Sequence, residues 1–106
     1  MALQVNGGFI VVPLSQTVSA AFDARALEAK TVTVEGTFTA TYQVQISCDM
    51  SDSPAAGSWT NAGTALTAAG NVFVQQPCAW VRLNCTAFTS NTGALTSRVV
   101  GMTSFA

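Results

Sequence analysis

The chain has 106 residues, of which 49% are hydrophobic and only 8% charged, with a formal net charge of −1. This length bounds a single domain, and the share of apolar residues excludes a disordered chain. Four basic residues, Arg25, Lys30, Arg82 and Arg98, scattered along the sequence exclude a conventional nucleic-acid footprint.

The first residues, Met1 to Asn6, carry no basic charge ahead of an apolar core, so a cleaved signal peptide is not expected. The apolar run over 9–14 is far shorter than the roughly 20 residues a membrane span needs, so no membrane is expected as a partner. These features predict synthesis in a cytoplasm. Gly7 and Gly8 separate a short leading segment from that run, and Pro13 demotes the run to an edge strand or bent arm. Residues 1–14 are thus expected to form an N-terminal arm or edge strand, and 15–106 a β-sandwich domain. Residues 17–22 alternate, with Val18, Ala20 and Phe22 on one side. Residues 23–30 favour helix but are too few for a stable one, which predicts a turn or a single helical turn.

From Val32 to Cys48 every second residue is apolar or Gly: Val34, Gly36, Phe38, Ala40, Tyr42, Val44 and Ile46 lie between them. The intervening positions are Thr, Glu, Gln or Ser. A period of two sends successive side chains to opposite faces of a strand, so one face is apolar and the other wet. Fully extended, the segment would reach about 56 Å, against roughly 17–20 Å for a common strand. Gly36 is the expected break, giving strands near 31–36 and 40–48.

Residues 49–57 (DMSDSPAAG) combine Asp, Ser, Pro and Gly and predict a loop. Short strands are expected at 58–61, with Trp59, and at 72–74. A cleaner one covers 80–88, where Val81, Leu83, Cys85 and Ala87 alternate with Trp80, Arg82, Asn84 and Thr86. Ser90-Asn91-Thr92-Gly93 predicts a turn before a last strand near 94–100. The expected architecture is all-β: a single antiparallel β-sandwich or jelly roll of about 7–8 short strands.

The sequence contains no His, which removes Ser-His-acid and Cys-His constellations and the commonest transition-metal ligand. No phosphate-binding glycine loop is present. No catalytic residues, cofactor or small-molecule ligand are therefore expected. Asp49 and Asp52, with Ser51 between them, are the only acidic constellation that could hold Ca²⁺. The reading preferred over that metal site is local turn stabilisation by side chains bonding the backbone. Trp59 and Trp80 could stack on a sugar, but core or core-edge packing is the commoner use of Trp in a small sandwich. Three cysteines suit a reducing compartment better than a disulfide framework. Cys48 and Cys85 are expected in the core. A Cys48–Cys85 bridge is geometrically possible but disfavoured by the compartment, and Cys78 lies too far from Cys85 along one extended strand.

The order of features carries a resemblance. VTVEGTFTATYQVQIS is followed by an Asp-containing loop, then SWTNAGTALTAAG, a Pro, AWVRLNCTAFTS, NTG and a strand ending at Gly101. This resembles small β-sandwich virion proteins of tailed bacteriophages, over most of the chain from 31 to 101. The resemblance implies a jelly-roll-like capsid decoration (cement) protein, a homotrimer whose partners are the major capsid protein and itself. It further implies a location on the virion capsid surface after assembly in the bacterial host cytoplasm. A tail, neck or baseplate accessory protein is the alternative, and a carbohydrate-binding module the second. The low surface charge favours close protein contact. Val5, Phe9, Ile10 and Val12 near the N-terminus and Phe105 near the C-terminus are the candidate partner contacts.

Overall fold

A computed structural model describes the backbone of residues 2–105 and the side chains of residues 5–103. In chain order the elements are β1 (Ala2–Ile10), β2 (Phe22–Asp23), β3 (Lys30–Ser47), a 3₁₀ turn (Ala56–Ser58), β4 (Trp59–Asn61), β5 (Gly70–Val74) and β6 (Trp80–Phe105). All pairings between these strands are antiparallel, and together they make one six-stranded sheet.

The frame is a long ribbon of β3 and β6, paired from Lys30 opposite Gly101 to Ser47 opposite Trp80 with register shifts at Glu35/Thr37, Thr39/Ala40 and Thr41/Tyr42. β5 pairs with the beginning of β3 and β4 with its end. On the outer side of β6, β2 pairs with its beginning and β1 with its end. A straight strand of 26 residues would reach about 85 Å, yet the molecule is 46 Å along its longest axis. The ribbon must therefore bend, and the sheet curls around its own apolar face.

One irregularity of the ribbon falls where Gly36 stands. The register shifts between Glu35 and Thr37, and Gly36 adopts φ 122°, a conformation that favours glycine. The strand break expected at Gly36 is thus a bulge inside one continuous β3. The turn expected at 90–93 is likewise absent as a chain reversal. Thr92 still pairs with Thr37, and Gly93, with φ 71°, belongs to the extra length of β6 that the same irregularity absorbs. Two expected strand pairs become two long strands, which explains six strands where seven or eight were expected.

The apolar alternation keeps its phase across the bulge. Val32, Val34, Ala40, Tyr42, Val44 and Ile46 are buried, together with Val81, Leu83, Cys85 and Val99 of β6 and Val72 and Val74 of β5. Phe38 meets Tyr42 edge-on, with ring centroids 5.2 Å apart. The expectation of a buried Cys48 is corrected: Cys48 is exposed. The ladder ends at Ser47, whose buried hydroxyl bonds that of Ser58 at 2.7 Å, and the chain then turns into the loop. Cys48, Cys78 and Cys85 are all free thiols.

Candidate docking surface

The outward face of the sheet is built by the same alternation that fills the core. Directly opposed residues of antiparallel strands share a face, so Gly7, Val100, Thr31 and Phe73 form one row across β1, β6, β3 and β5. Phe9, Arg98, Thr33 and Asn71 form the next row, and Val5 with Met102 lies on the other side of the first. Phe9 is 70% exposed, Phe73 73% and Val5 68%. A shallow groove of about 360 Å³ runs between Val5, Gly7, Phe9, Arg98 and Val100.

This face is electrically neutral. Arg98 Nη1 donates to Glu35 Oε1 at 2.6 Å, and the guanidinium lies 5.7 Å from the Phe9 ring centre. β1 and β5 contribute no charged residue. β1 is also an edge strand: among the described residues its ladder partner is β6 alone, and its sequence has no Pro, Lys or Glu to discourage another strand.

Of the candidate contacts, Val5 and Phe9 stand on this surface. Ile10 and Val12 do not: both are buried within the domain's own core. Ile10 follows Phe9 by one residue and so points to the opposite face. Val12 lies past the end of β1, where the chain folds inward ahead of Pro13. The Phe105 side chain lies outside the described residues. Val11, Leu14, Val100 and Phe73 were missed as exposed apolar residues. Phe73 had a readable signal, because three successive apolar residues (72–74) in a one-sided strand force the middle one outward.

The remaining candidates are occupied by local structure. Asp49 accepts hydrogen bonds from the Ser51 and Ala55 amides at 3.0 and 2.8 Å, and these bonds hold its carboxyl below the usual range. Asp52 instead pairs with Arg25 at 3.1 Å, so the two carboxylates serve different partners. Trp80 is buried, its indole N–H donates to the Ser51 carbonyl at 3.1 Å, and Arg25 lies 4.8 Å from its ring centre. Trp59 carries the Arg82 guanidinium 4.2 Å from its ring centre. Neither indole is the bare platform that stacking on a sugar needs.

All four basic side chains are engaged within the chain. Arg25 bonds Asp23 and Asp52, Arg98 bonds Glu35, Arg82 bonds Gln45 Oε1 at 2.9 Å, and Lys30 is buried. Among the described residues no helix is long and apolar enough to cross a membrane.

No family model matches the chain, and no curated protein matches it by sequence. Among solved structures it is similar to the SPBc2 prophage-derived protein YomS. The TM-score is 0.61 at 11% sequence identity, covering 97% of this chain and 96% of that one. This likeness shows a shared all-β fold along nearly the whole chain. A second structure, the Aeromonas hydrophila protein PliG, a periplasmic inhibitor of g-type lysozyme, aligns at a TM-score of 0.39 and 14% identity. It covers 96% of this chain and 83% of its own, and that score is too low for a common fold.

Proposed function

We propose that this chain is a structural protein of a tailed-phage virion, one that acts by binding and catalyses no reaction. The finer reading is a decoration protein that sits on the outside of the capsid as a homo-oligomer, a trimer by resemblance, and ties neighbouring capsid subunits together. The observation that carries it is the exposed, charge-neutral face of β1, β6, β3 and β5, centred on Val5, Phe9, Val100 and Phe73. An exposed apolar cluster on a small domain marks a surface meant for another protein. The fold shared with a prophage-derived protein supports the phage setting. The absence of a free basic cluster argues against nucleic acid as the partner.

Binding by many copies explains how so weakly charged a surface can strengthen a shell. Each copy that binds only the assembled lattice shifts the equilibrium toward it, and linked sites add their contributions. The test is co-sedimentation of the purified chain with undecorated capsids of its phage, with isolated tails run in parallel. Saturable capsid binding that disappears in the Val5→Lys/Phe9→Glu double variant is the expected result. Binding to tails alone reassigns the protein to the tail, neck or baseplate, and binding to neither overturns the proposal.

A further inference from the structure

The end of the β3–β6 ribbon brings together two cysteines separated in sequence by the segment that contains β4 and β5. The last rung is Ser47 opposite Trp80, and the Ala79 amide then donates to the Ser47 carbonyl at 2.8 Å. Cys48 and Cys78 are the next residues outward on the two sides of that closure. The exposed Cys48 Sγ lies 3.6 Å from the carbonyl oxygen of Pro77, the residue bonded to Cys78. Both cysteines line one pocket of about 260 Å³, shared with Met50, Pro77 and Arg25.

The surroundings of Cys78 act on its thiol in opposite directions. Lys30 is only 3% exposed, bonds the Gln76 carbonyl at 3.4 Å, and acts electrostatically on the Cys78 thiol. Burial is the larger influence and leaves the Cys78 thiol above its ordinary value, although the Lys30 charge pulls it down; Cys48 is the other sulfur close enough to act on it electrostatically. Cys85, by contrast, is buried in the core, with its Sγ bonded to the Ala87 carbonyl at 3.3 Å.

We infer that Cys48 and Cys78 form an oxidisable pair that closes to a disulfide, tying the end of β3 to the approach to β6. With a small disulfide such as oxidised glutathione as oxidant, the Cys48 thiolate attacks one of its sulfurs and expels one glutathione thiolate. The Cys78 thiolate then attacks Cys48 Sγ, forms the S–S bond and expels the second glutathione thiolate. The two cysteine thiols are oxidised, the glutathione disulfide is reduced to two thiols, and the two cysteine protons end on those thiols. The Lys30 charge partly offsets the burial that disfavours the Cys78 thiolate. The closed ring spans residues 48–78 and encloses both short strands on the β3 edge. A particle assembled in a reducing cytoplasm would gain this link once released into oxidising surroundings; that consequence rests on the virion reading, whereas the bond itself does not.

The experiment is incubation of the purified chain with oxidised glutathione, followed by intact mass, non-reducing peptide mapping and thermal melting. The expected product is a monomer lighter by two hydrogens, with a Cys48–Cys78 peptide. Its melting temperature is higher by roughly 5–15 °C, and a dithiol reductant reverses the change. Cys48→Ser and Cys78→Ser abolish both the link and the rise. Because the map is read on the unmodified chain, it decides the matter even where a variant folds poorly. A reaction that stops at glutathionylated Cys48, a bond between two copies through Cys48, or a Cys48–Cys85 peptide overturns the inference. Capsid co-sedimentation of the reduced chain is read separately, so failure of either proposal leaves the other standing.

Discussion

The Tyr42 hydroxyl donates a 2.7 Å hydrogen bond to the carbonyl oxygen of Pro13. It joins the centre of β3 to the segment that leaves β1, across the core that Ile10 and Val12 help to fill. Tyr42 is completely buried, so the phenol is a large apolar side chain with one polar atom and a designated partner for it.

Removing only that atom leaves a buried carbonyl without its donor. Tyr42→Phe is expected to cost about 1–2 kcal/mol in urea unfolding and to speed amide exchange in residues 11–14 first. A variant as stable as the parent would show that the bond contributes nothing net.

The same burial sets an alkaline limit. It is chiefly desolvation that pushes the Tyr42 phenol up to about 12 from an ordinary value of 10.0. The unfolded chain thus loses this proton before the folded one does. The contribution is fully present below pH 10 and is lost as pH rises from 10 toward 12. Melting curves across that range should fall for the parent, and the fall should be shallower for Tyr42→Phe.

At the acid end Asp49 works with the opposite sign. Its carboxyl is held below the ordinary 3.8 by the Ala55 and Ser51 amides. Its contribution is therefore present above that value and is lost as pH drops through the lower folded value. Asp49→Ala should be less stable than the parent near neutrality, with the two melting temperatures converging at strongly acidic pH. A constant difference at all pH values would refute the carboxylate's role.

Gly7 faces the β6 backbone with no room for a side chain. A Cβ there would overlap the Val99 carbonyl oxygen and press on the Val100 backbone, neither of which can rotate away. Gly7→Ala should detach or shift β1, lowering stability by about 2 kcal/mol or more. Cross-strand contacts in nuclear Overhauser spectra should weaken along the Ala2–Ile10 ladder. Retention of all of them would disprove the steric argument.

Phe9 belongs to the exposed neutral face and not to the core, so under the proposed docking role its replacement should separate binding from folding. Phe9→Ser is expected to change stability by less than about 1 kcal/mol while weakening capsid binding and any self-association seen by sedimentation. A large loss of stability would place Phe9 in the structural core instead.

How much of this is legible in the chain depends on how local the cause is. The alternation from Val32 to Ile46 marks the core face of β3 directly, because side-chain direction in a strand is set residue by residue. It does not reveal that Gly36 bends the strand without ending it. That outcome depends on β6 running alongside and absorbing the extra residues near Gly93, a pairing between distant segments. The exposed apolar face is half legible: Val5 and Phe9 are exposed as the candidate contacts require, but Ile10 and Val12 are grouped with them because apolar character alone does not say which face a residue takes.

By itself the sequence determined the all-β class, the wet and apolar faces of β3, and a low share of charged residues. These follow from composition and short-range periodicity, which act without knowledge of the partner strand. Only the tertiary structure decided that one sheet curls around its own apolar face, that Phe73 and Phe9 emerge on a common neutral face, and that Cys48 shares a pocket with Cys78 while Cys85 lies in the core. Each of those depends on register between segments far apart in the chain, where a shift of one residue turns every side chain to the other face.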